Sequence, residues 1–281
     1  MVNRLLKIAV LGLLVFYPGL STAAPQPMDF FIIQPGQPGS VEEARPVMEA
    51  LAAYLQQKLG GEVAISGTYF NQTEQALTVI EGSTARWGIV SLGFFIENGG
   101  RFAMQPIAST RPAGKTHERW YLMVAKGGAG TWRELSGSVL GTMLFQQQSA
   151  SRLMFATSRE DLPFALEGTT SPLRALREVA GGKKAGVILD QSQYQALQAL
   201  PLFGKLEVLH RSEPLPTAPV IWFGEPDDSA RKLTGVLERM VDDPAAKNLL
   251  QLLQTEGFGP ADPSLAGYVQ EQENRNRAIK R

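Results

Sequence analysis

The chain contains no cysteine and only two histidines, His117 and His210, in 281 residues. Without thiols it can build no disulfide framework, carry no lipid on an N-terminal cysteine, and offer no thiolate to a metal or a substrate. The two histidines stand far apart, one before Glu118 and one before Arg211, so they form no metal pair at helical spacing. A concentrated charge of either sign is also missing: 27 Lys and Arg balance 27 Asp and Glu. Nucleic acid and membrane surfaces ask for a basic face, and neither is an expected partner. There is no phosphate-binding loop and no dinucleotide fingerprint, and Ser149 lacks the flanking glycines of a nucleophile elbow. Catalysis, a metal and a cofactor are therefore not expected. The four tryptophans, Trp87, Trp120, Trp132 and Trp222, fall in or near strand-like runs and read as core.

What is present starts at the N-terminus. Arg4 and Lys7 precede an uncharged run from Ile8 to Phe16, followed by Pro18-Gly19 and then by Ser21, Ala23 and Ala24. This order of basic, apolar and small segments is that of an export leader, and its apolar part is short for a membrane span. Cleavage is expected after Ala23, giving a leader of residues 1–23 and a mature protein in the periplasm; an uncleaved anchor is the alternative. Loss of the leader leaves 25 basic against 27 acidic residues. Roughly 255 mature residues are enough for two lobes of ordinary size.

Along the mature chain, strand-like and helix-like segments alternate. Phe30 to Gln34, Glu62 to Gly67 and Trp87 to Leu92 read as strands, with helices over Pro46 to Leu59 and Thr73 to Gly82. The pattern restarts with strands at Trp120 to Ala125 and Val139 to Phe145, a helix opened by Ser149-Ala150-Ser151, a helix over Leu173 to Val179, a strand at Ala185 to Leu189 and a helix from Gln191 to Leu200. Leu206 to Leu209 and Val220 to Phe223 are β-like, helices follow over Ser229 to Val241 and Pro244 to Glu256, and the polar stretch from Gln270 to Arg281 reads as a frayed tail. Alternation of this kind predicts an α/β protein with mainly parallel sheets flanked by helices. The restart suggests two lobes: residues 28–120 begin lobe 1, 121–213 form lobe 2, 214–268 return to lobe 1, and 269–281 are the tail. Two crossings, near Arg119 to Ala125 and Arg211 to Ile221, would then make a hinge around a ligand cleft.

Several segments in this order resemble a known family. Thr131 to Gly141, "TWRELSGSVLG", is similar to the entry into the second lobe of type II periplasmic solute-binding proteins. Pro46 to Gly60, Arg86 to Phe94 ("RWGIVSLGF"), Gly181 to Asp190 ("GGKKAGVILD") and Val208 to Val220 ("VLHRSEPLPTAPV") follow in the family's sequence of features. The nearest resemblance is to the group that binds phosphate, phosphite and phosphonate for ABC transporters. It implies the two-lobe type II fold with a double-crossover hinge, a small anionic ligand, an inner-membrane permease as partner (or a membrane sensor kinase), and a monomer.

Candidate ligand contacts follow from helix physics and from the resemblance. A helix opening after a strand leaves backbone N–H groups unpaired, and short hydroxyl side chains add donors without excluding an anion. Ser149, Ala150 and Ser151 occupy such an opening. Ser149 reads either as a cap or as a ligand contact, and the resemblance, in which a Ser-Thr-Ser-like run holds phosphoryl oxygens, favours contact for Ser149 and Ser151 while Ala150 lacks the hydroxyl. Tyr69 and Ser91 would face it from the carboxyl edge of the first sheet; each reads equally as a packed ring or a turn residue. Where the family shows a histidine this chain has Gly168-Thr169-Thr170-Ser171-Pro172, so Thr170 is the candidate donor. Asp190 reads either as a helix cap or as the carboxylate meeting a ligand's amine. Uptake, sensing through a kinase, and a fold that has lost tight oxyanion binding are the readings these features leave open.

Overall fold

Phe30-Phe31-Ile32-Ile33 is buried at every position, the pattern of a strand covered on both faces, and it forms β1 (Phe30–Ile33). A computed structural model of the protein describes residues 27–60 and 63–279. The expected leader lies outside the described residues. After a glycine turn, α1 (Val41–Lys58) is opened by Ser40, whose hydroxyl accepts from Glu43 N–H while the Glu43 carboxylate accepts from Ser40 N–H. This reciprocal cap starts the helix before Pro46, the position expected to begin it, and the proline is carried inside with one backbone bond missing. β2 (Gly67–Phe70) starts where the expected strand was to end, so Tyr69 lies within it. α2 (Thr73–Glu81), β3 (Trp87–Val90), α3 (Leu92–Asn98) and β4 (Met104–Thr110) complete the first passage.

The chain then crosses through β5 (His117–Glu118) into β6 (Tyr121–Ala125) and β7 (Ser138–Gly141). β7 stops at Gly141 and a 3-10 turn, Thr142–Phe145, replaces the rest of the expected strand. α4 (Gln147–Phe155) follows, then β8 (Ala165–Gly168), α5 (Pro172–Ala180), β9 (Gly186–Leu189), α6 (Gln191–Gln198) and β10 (Leu206–Arg211). The return runs through β11 (Leu215–Pro216) into β12 (Pro219–Phe223), α7 (Asp228–Arg239), α8 (Lys247–Leu252), β13 (Phe258–Gly259) and α9 (Ser264–Ile279).

The strands form a six-stranded sheet, β13-β4-β12-β3-β1-β2, a five-stranded sheet, β10-β6-β9-β7-β8, and a ribbon of β5 with β11. Both large sheets are mixed: β1 is parallel to β2 and β3, whereas β12 runs antiparallel between β3 and β4 and β6 runs antiparallel to β9 and β10. β6 and β12 are the strands laid down directly after a crossing, and the short β13 also runs antiparallel to β4. The crossings are tied by Trp120 N–H donating to Ser212 Oγ at 2.9 Å and Ser212 N–H to Trp120 O at 3.0 Å. Beneath the first sheet, Phe30 stacks on Trp87 with ring centroids 4.6 Å apart, beside the equally buried Trp222.

The segment expected to fray is helical. Leu265 is fully buried, Tyr268 and Val269 pack against the apolar core, and α9 lies along α3. Glu271–Arg275 and Glu273–Arg277 pair at i,i+4 on its outer side. Buried anchors one helical turn apart thus outweigh a polar composition.

Candidate functional site

The carboxyl ends of β1 and β3 face the 3-10 turn after β7 and the start of α6, and the space between them is a cleft of roughly 210 Å³. One wall carries Gln34, Ser91 and Thr110, the other Thr142, Gln146 and Asp190, while Glu118 and Trp120 approach from the crossing. Binding beyond the carboxyl edges of strands is what an open α/β sheet offers. Ser91 N-caps α3, its hydroxyl accepting from Phe94 N–H at 3.3 Å. Asp190 N-caps α6 in a capping box, accepting from Gln193 N–H at 2.8 Å. Across the cleft's edge the lobes touch: Gln146 Nε2 donates to Thr73 Oγ1 at 2.9 Å.

No lysine or arginine is among the residues lining this cleft. Its charged members are carboxylates. Burial raises the Asp190 pKa from its ordinary value, against the pull of the Gln193 and Ser192 N–H groups. Glu118 is pushed from 4.5 up to about 7, first by burial and then by the Asp190 charge, with the Trp120 indole N–H opposing. Two carboxylates that resist ionisation in a cation-free cleft are stabilised by any positive group that enters.

This has a pH signature. Between about pH 4.5 and 7 the folded chain holds a proton on Glu118 that the unfolded chain has released, so stability falls as pH rises through that window and the penalty is complete above it. The total loss across the window is on the order of 3 kcal/mol. Glu118→Gln is expected to flatten it: denaturant unfolding at about pH 5 and pH 8 should show a large drop for the wild-type chain and a smaller one for the variant. Equal drops would place the effect elsewhere.

Residues 38–266 match the family described as "ABC transporter, phosphonate, periplasmic substrate-binding protein". The chain belongs to this family. No curated protein matches the sequence. Among solved structures, a protein of Xanthomonas citri bound to ATP is similar at TM-score 0.68 and 15% identity, with 90% of this chain and 98% of that one covered. PhnD1 of Prochlorococcus marinus in complex with methylphosphonate gives 0.64 at 11% identity, covering 89% and 98%. At such identities the likeness is one of fold, the two-lobe type II fold. As a phosphonate-family periplasmic substrate-binding protein of an ABC transporter, the chain has a small-molecule ligand and a permease partner. No helix among the described residues is long and apolar enough to cross a membrane.

Within this phosphonate-family protein the anticipated contacts are distributed unevenly. Ser91 and Asp190 line the cleft, each while capping a helix. Tyr69, inside β2, lines a neighbouring cavity with Ile32, Met48 and Phe258, and burial raises its pKa. Thr170 is exposed in the bend before α5 and is not among the cleft residues. Ser149 does not open α4: the helix starts at Gln147, which makes Ser149 its third residue, 1% exposed. Ser151 is fully buried and its hydroxyl donates to Gln148 O at 3.0 Å. Ala150 is fully buried in an apolar cluster that joins Phe94, Phe95 and Ile96 of α3 to Leu144 and Leu153 of the other lobe, so a hydroxyl there would be set among carbons. Gln34, Glu118, Thr142, Gln146 and Thr217 also line the cleft and were not anticipated. Only Glu118 carried a signal, as an acid beside a histidine at the expected crossing.

Proposed function

We propose that this protein is the capture component of an ABC importer for a small aminoalkylphosphonate-like solute: a phosphorus oxyanion that also carries an ammonium group. It is exported by the leader at residues 1–23, acts as a monomer and delivers its solute to the permease. The observation that carries the reading is the cleft's lining, which sets hydroxyl and amide donors (Ser91, Thr142, Gln146) beside two carboxylates, Glu118 and Asp190, with no cation among them. The donors suit phosphoryl oxygens and the carboxylates suit an ammonium. The methylphosphonate complex of PhnD1 supports the phosphonate half of the reading.

Calorimetric titration with 2-aminoethylphosphonate, methylphosphonate, phosphate, phosphite and a set of amino acids is the test. The expected order places 2-aminoethylphosphonate at least tenfold tighter than methylphosphonate, since a desolvated ammonium–carboxylate contact contributes more than about 1.4 kcal/mol. Binding of amino acids alone would refute the phosphorus oxyanion, and equal affinity for the two phosphonates would refute the ammonium.

A further inference from the structure

Beside the cleft, lobe 1 holds a second cavity of about the same size, roughly 210 Å³. Its floor is one face of the sheet, where Ile32 of β1 stands in register with Tyr69 of β2 on one side and Ile89 of β3 on the other. Met48 of α1 and Phe258 of β13 complete the wall. These side chains are buried and belong to the apolar core of the lobe. Close packing ordinarily fills such hollows, because lining atoms without neighbours forgo dispersion contacts. The polar groups in the wall are engaged: Ser40 and Glu43 hold each other in the α1 cap, and Thr255 Oγ1 donates to Gly257 O at 2.7 Å.

The two spaces meet. Gln34, Gln37, Thr110, Leu253 and Gln254 line both of them. Among the described residues the amide side chains of Gln34, Gln37 and Gln254 form no hydrogen bond within the protein, so ordinary rotamer changes can widen or narrow the junction. Gln254 follows α8 at φ +54, in the left-handed region where glycine is the ordinary choice, while Thr255 N–H reaches back to Leu250 O at 3.0 Å. A side chain is thus carried at the junction in spite of its backbone cost. On the α4 side the cleft is shut: a Cβ on Gly93 would stand 3.0 Å from both Gln146 Cβ and Ser149 Oγ, and the Ser149 N–H and hydroxyl meet the Glu97 carboxylate of α3 at 2.9 and 3.0 Å.

We infer that the second cavity is a subsite of the cleft that takes the apolar organic substituent of the captured solute, so that the protein selects for an alkyl or aryl chain as well as for a head group. The head group stays in the cleft, and its substituent passes between the glutamines onto Ile32, Met48 and Phe258. Each methylene moved from water onto that wall favours binding about fourfold. Only the identity of the head group rests on the ligand reading above; the selection for chain length rests on the cavity and its junction with the cleft.

The experiment titrates the mature full-length protein with methyl-, butyl- and hexylphosphonate, and with alanine, norvaline and norleucine, which lengthen an apolar chain on an amino-acid head. In the phosphonate series butyl is expected to bind at least tenfold more tightly than methyl. Ala44→Leu, which sets an isobutyl group in the wall of the second cavity, should flatten the series, so that butylphosphonate binds no more tightly than methylphosphonate. Circular dichroism checks that the variant folds, and the wild-type series decides alone if it does not. A rise with chain length confined to the amino acids would uphold the subsite and remove the phosphorus head group. Phosphonates bound with equal affinity at every length would overturn the subsite and leave the ligand reading standing. A rise that survives in folded Ala44→Leu would also overturn the subsite, and no binding in either series would overturn both.

Discussion

Gly36→Ala is expected to leave the protein folded and to lower its affinity for the preferred solute about 100-fold or more, because closure depends on a missing side chain. Gly36 sits after β1 at φ +83, and a Cβ there would fall 2.2 Å from Thr142 O and 2.6 Å from the Phe145 ring. Thr142 and Phe145 belong to the 3-10 turn of the opposite lobe, so the collision is with backbone that cannot yield unless the lobes separate. The positive φ adds roughly 1–2 kcal/mol of strain in any state of the hinge. Gly182→Ala separates the two effects: its φ is +71 but nothing lies within 4 Å, so it should lose similar stability and keep full affinity. Calorimetry gives the affinities, and small-angle scattering of the unliganded proteins should show a larger radius of gyration for Gly36→Ala alone. Affinity within threefold of wild type would mean that solute is held without the closure seen here.

That contact also shows why the site was harder to read than the fold. Strands such as Trp87 to Val90 and helices such as Thr73 to Glu81 announce themselves by local burial and periodicity, and they lie where the pattern put them. Ser40-Val41-Glu42-Glu43 was equally legible as a capping box, yet Pro46 drew the expected helix start to itself. The cleft depends instead on residues distant in sequence. Gly36 matters because of Thr142, Ser149 because of Glu97, and Glu118 because of Asp190. No periodicity encodes such pairs. Besides Glu118, a single acid in the apolar run of α3 was a local hint, since a carboxylate is rarely carried into such a helix without a partner to meet. α9 is hard to read for a related reason: a polar composition hides its start, where Leu265, Tyr268 and Val269 pack against the core.

Trp87→Ala should be the most destabilising single change in the first lobe, at about 3–5 kcal/mol. Trp87 is fully buried at the centre of the six-stranded sheet, paired with Phe30 on one side and Trp222 on the other, and its ring stacks on Phe30 at an interplanar angle of 23°. Truncation would leave a cavity bounded by strands whose backbones are fixed by their neighbours, so little collapse can fill it. For a chain of this size the loss corresponds to a fall in melting temperature of roughly 6–20 °C. Trp87→Phe should behave differently. The Trp87 indole N–H is buried with no hydrogen-bond partner, so phenylalanine removes an unsatisfied donor together with some packing. Those two changes oppose one another, and the net loss should stay below about 1.5 kcal/mol. Thermal and denaturant unfolding of both variants provides the measurement. If Trp87→Phe lost as much as Trp87→Ala, ring volume rather than the orphaned donor would govern this part of the core.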